Sequence, residues 1–342
     1  MRRFLWTVAL TVVALVGVTL ALPFDQRIAW RAAAGTQMFH ARWIYERLHD
    51  DPAPIDVAVL GSSRMEAGIS PVVLGRVLSA RIGRPVHVAN LAIVMPGRDF
   101  ACVTARDLIA THPEVRVIVL SDDGFTVNSH PMFREVAGVR EVWAAPLLVN
   151  TKYLPNLLYL PWRNVLNAAE QLAPGSFGVT PGFDRAAYPG GDLDRTTGYR
   201  LADGTLVNGD RTLPPARLRA LSAQGIATQR ASIAQMRLFP HDMALAIDHA
   251  YVTRIAALAR AHGVRLIFVS MPYFGADQPT SEAAAYRAYG PEWSLAGLAQ
   301  SPELFQNGAH LNRAGAVRAS TLLGDMIAPT VAAALRPAES HP

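Results

Sequence analysis

Residues 57–71 read VAVLGSSRMEAGISP. The apolar run Val57 to Leu60 halts at Gly61, and two hydroxyls and a guanidinium (Ser62, Ser63 and Arg64) come immediately after it. A short apolar run closed by a turn residue reads as a buried strand, here over 56–60. Ser70-Pro71 then opens a helix, a hydroxyl cap ahead of a proline in the first turn, and the spacing carries that helix to Ile82. Two serines on the turn between strand and helix have two readings. They cap the next helix, or one of them is a nucleophile held at the top of a sheet.

The same alternation continues outward from this stretch. Strands are predicted over 86–90, 115–120 and 264–270, and helices over 98–110, 248–261 and from near Asn312 onward. Short apolar strands separated by helices indicate an α/β fold, a mainly parallel sheet covered on both faces. Sites on such sheets lie at the carboxyl ends of the strands. The polar punctuation falls there: Gly61 to Ser63, Asn90 to Gly97, and Asp122-Asp123. Between about 126 and 240 the pattern weakens, and this region reads as an insertion at the top of the sheet, a lid or substrate wall. Within it GYRLADGTLV, residues 198–207, predicts a hairpin turning at Asp203-Gly204.

With 51% hydrophobic and only 17% charged residues, the 342-residue chain can bury a sizeable core. The net charge of +5 comes from scattered arginines with no basic run, which argues against a nucleic-acid partner. Cys102 is the one cysteine, so no internal disulfide forms. His241 and His249, with Asp242 and Asp248 nearby, make no compact ligand set, and no metal is expected.

Met1-Arg2-Arg3 precedes an uncharged, mostly apolar stretch from Phe4 to Leu22, closed by Pro23. Its length suits a membrane-spanning helix, and the flanking arginines favour an N-terminus on the cytoplasmic side. A cleaved signal peptide would have a shorter apolar region, so an uncleaved single-pass anchor is favoured. Residues 1–25 are then an anchor in the cytoplasmic (inner) membrane. Residues 26–54 are a membrane-proximal helix (29–48) and linker, and 55–335 a domain in the periplasm or outside the cell.

Near the C-terminus stands FQNGAHLNRAGA, residues 305–316, with His310 in a polar loop before the last helix. Together these blocks resemble the SGNH/GDSL hydrolase superfamily. Gly61-Ser62-Ser63 is similar to its Gly-Asp-Ser block, with Ser62 at the aspartate position and Ser63 at the nucleophile. Asn90-Leu91-Ala92 through Gly97 is similar to the second block, whose glycine lends an N–H to the oxyanion hole, and the resemblance puts Asn90 with Gly97 in the oxyanion or substrate-binding set. Asn307 to His310 is similar to the last block, Asp-x-x-His, with His310 as base and Asn307 in the carboxylate's place. The form Gly-Ser-Ser-Arg with an N-terminal anchor is most like the membrane-tethered branch that holds the D-alanyl transfer protein of teichoic acid synthesis and the alginate O-acetylation proteins.

The resemblance implies a three-layer SGNH/flavodoxin-like sandwich. It also implies a cofactor-free serine esterase or O-acyltransferase that modifies a cell-surface polysaccharide through an acyl-Ser63 intermediate. The acyl donor would come from a multi-pass membrane acyltransferase. Arg64 pairs with an acid or binds an anionic substrate. The family's third block donates an asparagine to the oxyanion. Here the stretch is LSDDGFTVN, so Asn128 or nothing serves, while Asp123 binds the Ser63 turn or supplies a carboxylate. Asp122 and Glu303 are further carboxylates that could replace the one missing at Asn307. The alternative is a catalytically degenerate subunit that binds or assembles an envelope polysaccharide complex.

Overall fold

The computed structural model describes residues 1–33, 36, 38–122, 129–179, 194, 199–200, 206–207, 209–234, 239–276 and 283–336. In chain order the strands are β1 (Val57–Leu60), β2 (Val88–Asn90), β3 (Val117–Ser121), β4 (Tyr199–Arg200), β5 (Leu206–Val207), β6 (Arg265–Ser270) and β7 (Glu292–Ser294). Five of them form one all-parallel sheet in the order β2-β1-β3-β6-β7. β4 and β5 make the antiparallel hairpin expected over 198–207, with Tyr199 opposite Val207. The expected turn of that hairpin, Asp203-Gly204, lies outside the described residues.

The sheet is apolar on both faces because both are covered. Val57, Val59, Val117, Val119, Ile267 and Val269 pack under the helices Pro71–Ile82 and Arg313–Ala334. Their neighbours Ala58, Leu60, Ile118, Leu120, Leu266 and Phe268 face the other way, with the helices Arg98–Thr111 and Ala246–Ala261. This is the period-two alternation of strand side chains read in three dimensions. The predicted elements agree with the observed ones to within a few residues. β7 was not foreseen; it carries one apolar side chain, Trp293, between Glu292 and Ser294.

The expected helix over 29–48 is two helices, Gln26–Ala32 and His40–His49. Their Trp30, Trp43, Ile44 and Leu48 are buried in the same cluster as Phe100 and Ile255. The connection to β1 is tied down as well. Arg47 donates to the Ala53 and Pro54 carbonyls at 2.8 and 3.0 Å. The two helices therefore belong to the domain core, and the 50–54 connection is tied to them and does not act as a free linker. A chain starting at Ile55 is expected to fail to fold. Each large buried side chain it loses is worth about 1.5–3 kcal/mol, against a whole-domain stability of about 5–15 kcal/mol. A chain starting at Phe24 should keep a cooperative thermal melt by circular dichroism in mild detergent. A cooperative melt from the shorter chain would show these helices to be dispensable.

The helix Arg2–Ala21 is the one described helix long and apolar enough to cross a membrane, and its residues up to Val18 are all exposed. The expected insertion holds three longer pieces. The helix Pro131–Val136 packs on Arg98–Thr111. The helix Tyr153–Leu172 packs against the N-terminal helix. The helix Pro215–Ala234 returns to the C-terminal loop. Among the described pieces the first, through its cap His130, and the last thus back the segments that carry Gly97 and His310.

Candidate active site

In the order β2-β1-β3 the chain runs from β1 to one neighbour and then crosses to the other side. Such a switch point opens a crevice at the carboxyl ends of the two strands. The turn after β1 lies there. Gly61 has φ 151°, and a Cβ on it would stand 2.3 Å from Ser121 Oγ and 2.9 Å from Met65 Cγ. Only glycine lets the chain leave β1 this close to β3. Ser62 is extended and caps the short helix Ser63–Gly68, its Oγ accepting from the Arg64 N–H at 3.4 Å. Ser63 is the first residue of that helix and is half-buried. The capping reading is realised by Ser62, and Ser63 stands one residue later at the start of the helix.

His310 arrives from the far end of the chain on a tightly closed loop. Phe305 and Leu311 form an isolated antiparallel bridge. Asn312 caps the last helix by accepting from Gly315 N–H at 3.0 Å, and its amide donates to the Glu303 carbonyl at 2.7 Å. Gly308 lies against the helix Pro215–Ala234, where a Cβ would fall 2.2 Å from the Ser222 nitrogen. The loop presents His310 Nε2 to Ser63 Oγ at 2.8 Å. It also places His310 Nδ1 3.0 Å from Asn307 Oδ1.

The protonation of this ring is set by Asn307. Its Oδ1 also lies 3.0 Å from the Ala309 N–H and 2.9 Å from the His310 N–H. Two backbone donors require an oxygen, not an NH2, at that position, which sets the amide orientation. The imidazole Nδ1 must then donate to the same oxygen, and Nε2 carries the lone pair that faces the Ser63 hydroxyl. That is the tautomer a general base needs. Among the described residues no carboxylate is hydrogen-bonded to the ring. Glu303 is exposed and engages the loop through its backbone carbonyl. Asp122 is buried at the end of β3, where its N–H donates to the Val269 carbonyl at 2.7 Å.

Burial pushes the His310 imidazole down to about 4; the Arg64 guanidinium adds to this and Glu66 opposes it. The ring is thus a neutral acceptor above that pH and loses its lone pair as pH falls through it. Ester turnover is expected to keep its acid limb near pH 4 instead of near the ordinary histidine value of about 6.5. A kcat/KM profile checks this, and an acid limb near 6.5 would show that solvent reaches the ring more freely.

The remaining sequence-predicted residues divide. Gly97 caps the helix Arg98–Thr111. Its loop reaches the Ser63 turn because Ile93 N–H donates to the Gly61 carbonyl at 3.0 Å. The Ser63 and Gly97 N–H groups both belong to helix starts, where no intrahelical acceptor exists. Asn90 is not an oxyanion donor. Its amide donates to the carbonyls of Met65 at 3.0 Å and Ile69 at 2.7 Å, and its oxygen accepts from Ala92 N–H at 3.1 Å. It braces the helix that carries Ser63. Arg64 is not displayed to solvent for an anionic substrate. It is buried, donates to the Met271 carbonyl, and stacks 4.1 Å above the Tyr273 ring. Asp123 and Asn128 lie outside the described residues.

Several supporting residues were not foreseen. His40 Nδ1 lies 2.8 Å from Glu66 Oε1, joining the N-terminal helices to the Ser63 helix. Buried Asp99, its carboxyl raised to about 6 by desolvation, accepts from Ser129 Oγ and from the His130 N–H at 3.0 Å. His130 Nε2 is 2.8 Å from the Val94 carbonyl, which fixes the Gly97 loop from above. Arg98 anchors the same loop from below through Asp248 at 2.9 Å. The Pro131 after His130 was a visible helix start; the other contacts left no local signal.

Among known proteins, no family model matches this chain and no curated protein matches it in sequence.

Proposed function

We propose that the protein is a serine esterase or O-acyltransferase of the SGNH type, anchored in the cytoplasmic membrane with its domain outside. The observation that carries this reading is the relay Ser63 Oγ, His310 Nε2, His310 Nδ1 and Asn307 Oδ1, at 2.8 and 3.0 Å. A serine hydroxyl needs such a base to become a nucleophile. As Ser63 Oγ attacks an acyl carbonyl, its proton passes to His310 Nε2. The carbonyl oxygen becomes an oxyanion facing the Ser63 and Gly97 N–H groups, donors of a kind typically worth about 2.7–4 kcal/mol. The intermediate collapses, the alkoxide leaves with the proton from His310, and acyl-Ser63 remains. A sugar hydroxyl or water, deprotonated by the same ring, then takes the acyl group and restores Ser63. The polysaccharide acceptor, an acetyl cargo and a donor handed over by a multi-pass acyltransferase rest on the family resemblance and on the N-terminal helix.

A fluorophosphonate probe tests the reading. It should add a single mass at Ser63, and the label should be lost in His310→Ala. A second reading, a non-catalytic subunit of an envelope polysaccharide complex, is favoured by the neutral Asn307 where a triad has a charge. An unlabelled Ser63 together with inert acetyl esters would select it.

A further inference from the structure

The helix Tyr153–Leu172 is inside out. Its buried residues are Asn156, Leu160, Arg163, Asn164, Asn167 and Glu170. Its exposed ones include Leu154, Leu158, Trp162, Val165 and Leu172, with Leu158 at 80% and Leu172 at 87%. At 100° per residue the exposed apolar set falls within a sector of roughly 80°. A surface helix of a water-surrounded domain has the opposite arrangement.

The polar face has a specific use. Asn164 Nδ2 donates to the Thr19 carbonyl at 3.1 Å, and Gln171 Nε2 to the Pro23 carbonyl at 3.1 Å. Asn167 bonds both the N–H and the carbonyl of Asp25, at 2.8 and 2.9 Å. The Arg163 guanidinium lies 3.9 Å over the Phe24 ring. These side chains satisfy the backbone of the segment that leaves the N-terminal helix, as a chain emerging from lipid requires, since unpaired groups there are costly. Only the end of that helix is touched, since residues 2–18 are all exposed while Thr19 and Leu20 are partly buried. The inverted helix therefore sits at the outer end of the span without running alongside it. The exposed Trp143, Leu147 and Leu148 extend the patch, with Tyr153 Oη donating to the Trp143 carbonyl at 3.1 Å.

We propose that this face, Leu154 to Leu172 with Trp143, Leu147 and Leu148, lies in the headgroup–acyl boundary of the bilayer. The partner is the lipid itself. Tryptophan and leucine on one face of a helix beside a span are the composition of an interfacial helix. The domain is then held flat on the membrane instead of swinging from a tether, and the Ser63 crevice keeps a constant height above the lipid. The inference rests on the anchor reading of residues 2–21, and its test separates the two.

Spin labels placed by Leu158→Cys, Trp162→Cys, Val13→Cys or Arg81→Cys, each with Cys102→Ala, are introduced into the full chain. The protein is reconstituted in nanodiscs of phosphatidylcholine and phosphatidylglycerol. Collision with oxygen reports lipid, and collision with a nickel chelate reports water. Labels at Leu158 and Trp162 are expected to favour oxygen, as at Val13, while Arg81 on the opposite side of the sheet favours nickel. If Leu158 and Trp162 behave as Arg81 does while Val13 favours oxygen, the anchor stands and the interfacial helix is overturned. If Val13 also favours nickel, both fall. Shielding of both helix labels from both reagents would mean that a second copy covers the face, and would overturn the lipid assignment.

Discussion

Ser63→Ala is expected to abolish fluorophosphonate labelling and acetyl-ester turnover, and His310→Ala to come close to it. The hydroxyl and the ring act as a unit at 2.8 Å, and removing either member of such a pair costs on the order of 10⁶ in turnover in a well-measured serine triad. Ser62→Ala should behave differently. Its hydroxyl caps the helix through a long bond of 3.4 Å, and a lost cap costs about 0.5–2 kcal/mol of stability. Ser62→Ala should therefore lower the melting temperature slightly and leave most of the turnover. Side-by-side rates decide the register. A dead Ser62→Ala with an active Ser63→Ala would shift the nucleophile by one residue, and an active His310→Ala would leave the scaffold reading in possession.

Asn307 carries the second large effect, in both directions. Its oxygen collects the Ala309 and His310 N–H groups and the ring Nδ1–H, all within 3.0 Å. Asn307→Leu removes that oxygen, frees the ring to take the wrong tautomer, and is expected to cut turnover by about 10⁴, the scale of a tautomer error in a triad. Asn307→Asp keeps all three bonds and adds the charge that an imidazolium lacks here. It should raise turnover about tenfold, equivalent to about 1.4 kcal/mol of barrier, and should move the acid limb of the pH profile upward, because a carboxylate favours the protonated ring. Turnover and its pH dependence for both variants are the measurement. An unchanged Asn307→Asp would mean that another carboxylate already serves the ring in the acting enzyme.

The layered α/β architecture and the chemistry-bearing loops were legible in the chain because their causes are local. Val57 to Leu60, Val117 to Leu120 and Leu266 to Val269 are buried on both faces, so their apolar runs are unbroken. Ser70 and Asn312 cap helices through bonds to residues three positions away. The local pattern left the roles of Ser62 and Ser63 open; the family resemblance put Ser63 at the nucleophile position, and in the structure it is the Ser63 hydroxyl that meets a ring 247 residues further along.

The oxyanion reading of Asn90, the anionic-substrate alternative for Arg64 and the linker reading within 26–54 went astray for the same reason. An amide, a guanidinium or a tryptophan reads alike whether it faces a substrate, a linker's solvent or the carbonyls and core of its own fold. The helix Tyr153–Leu172 is the extreme case. Its Leu154, Leu158, Trp162 and Val165 repeat at helical spacing, but they point outward while Asn164 and Asn167 point in. A period tells which residues share a face. Only the tertiary contacts, here the backbone of Thr19 and Asp25 in need of partners, decide which face is inside.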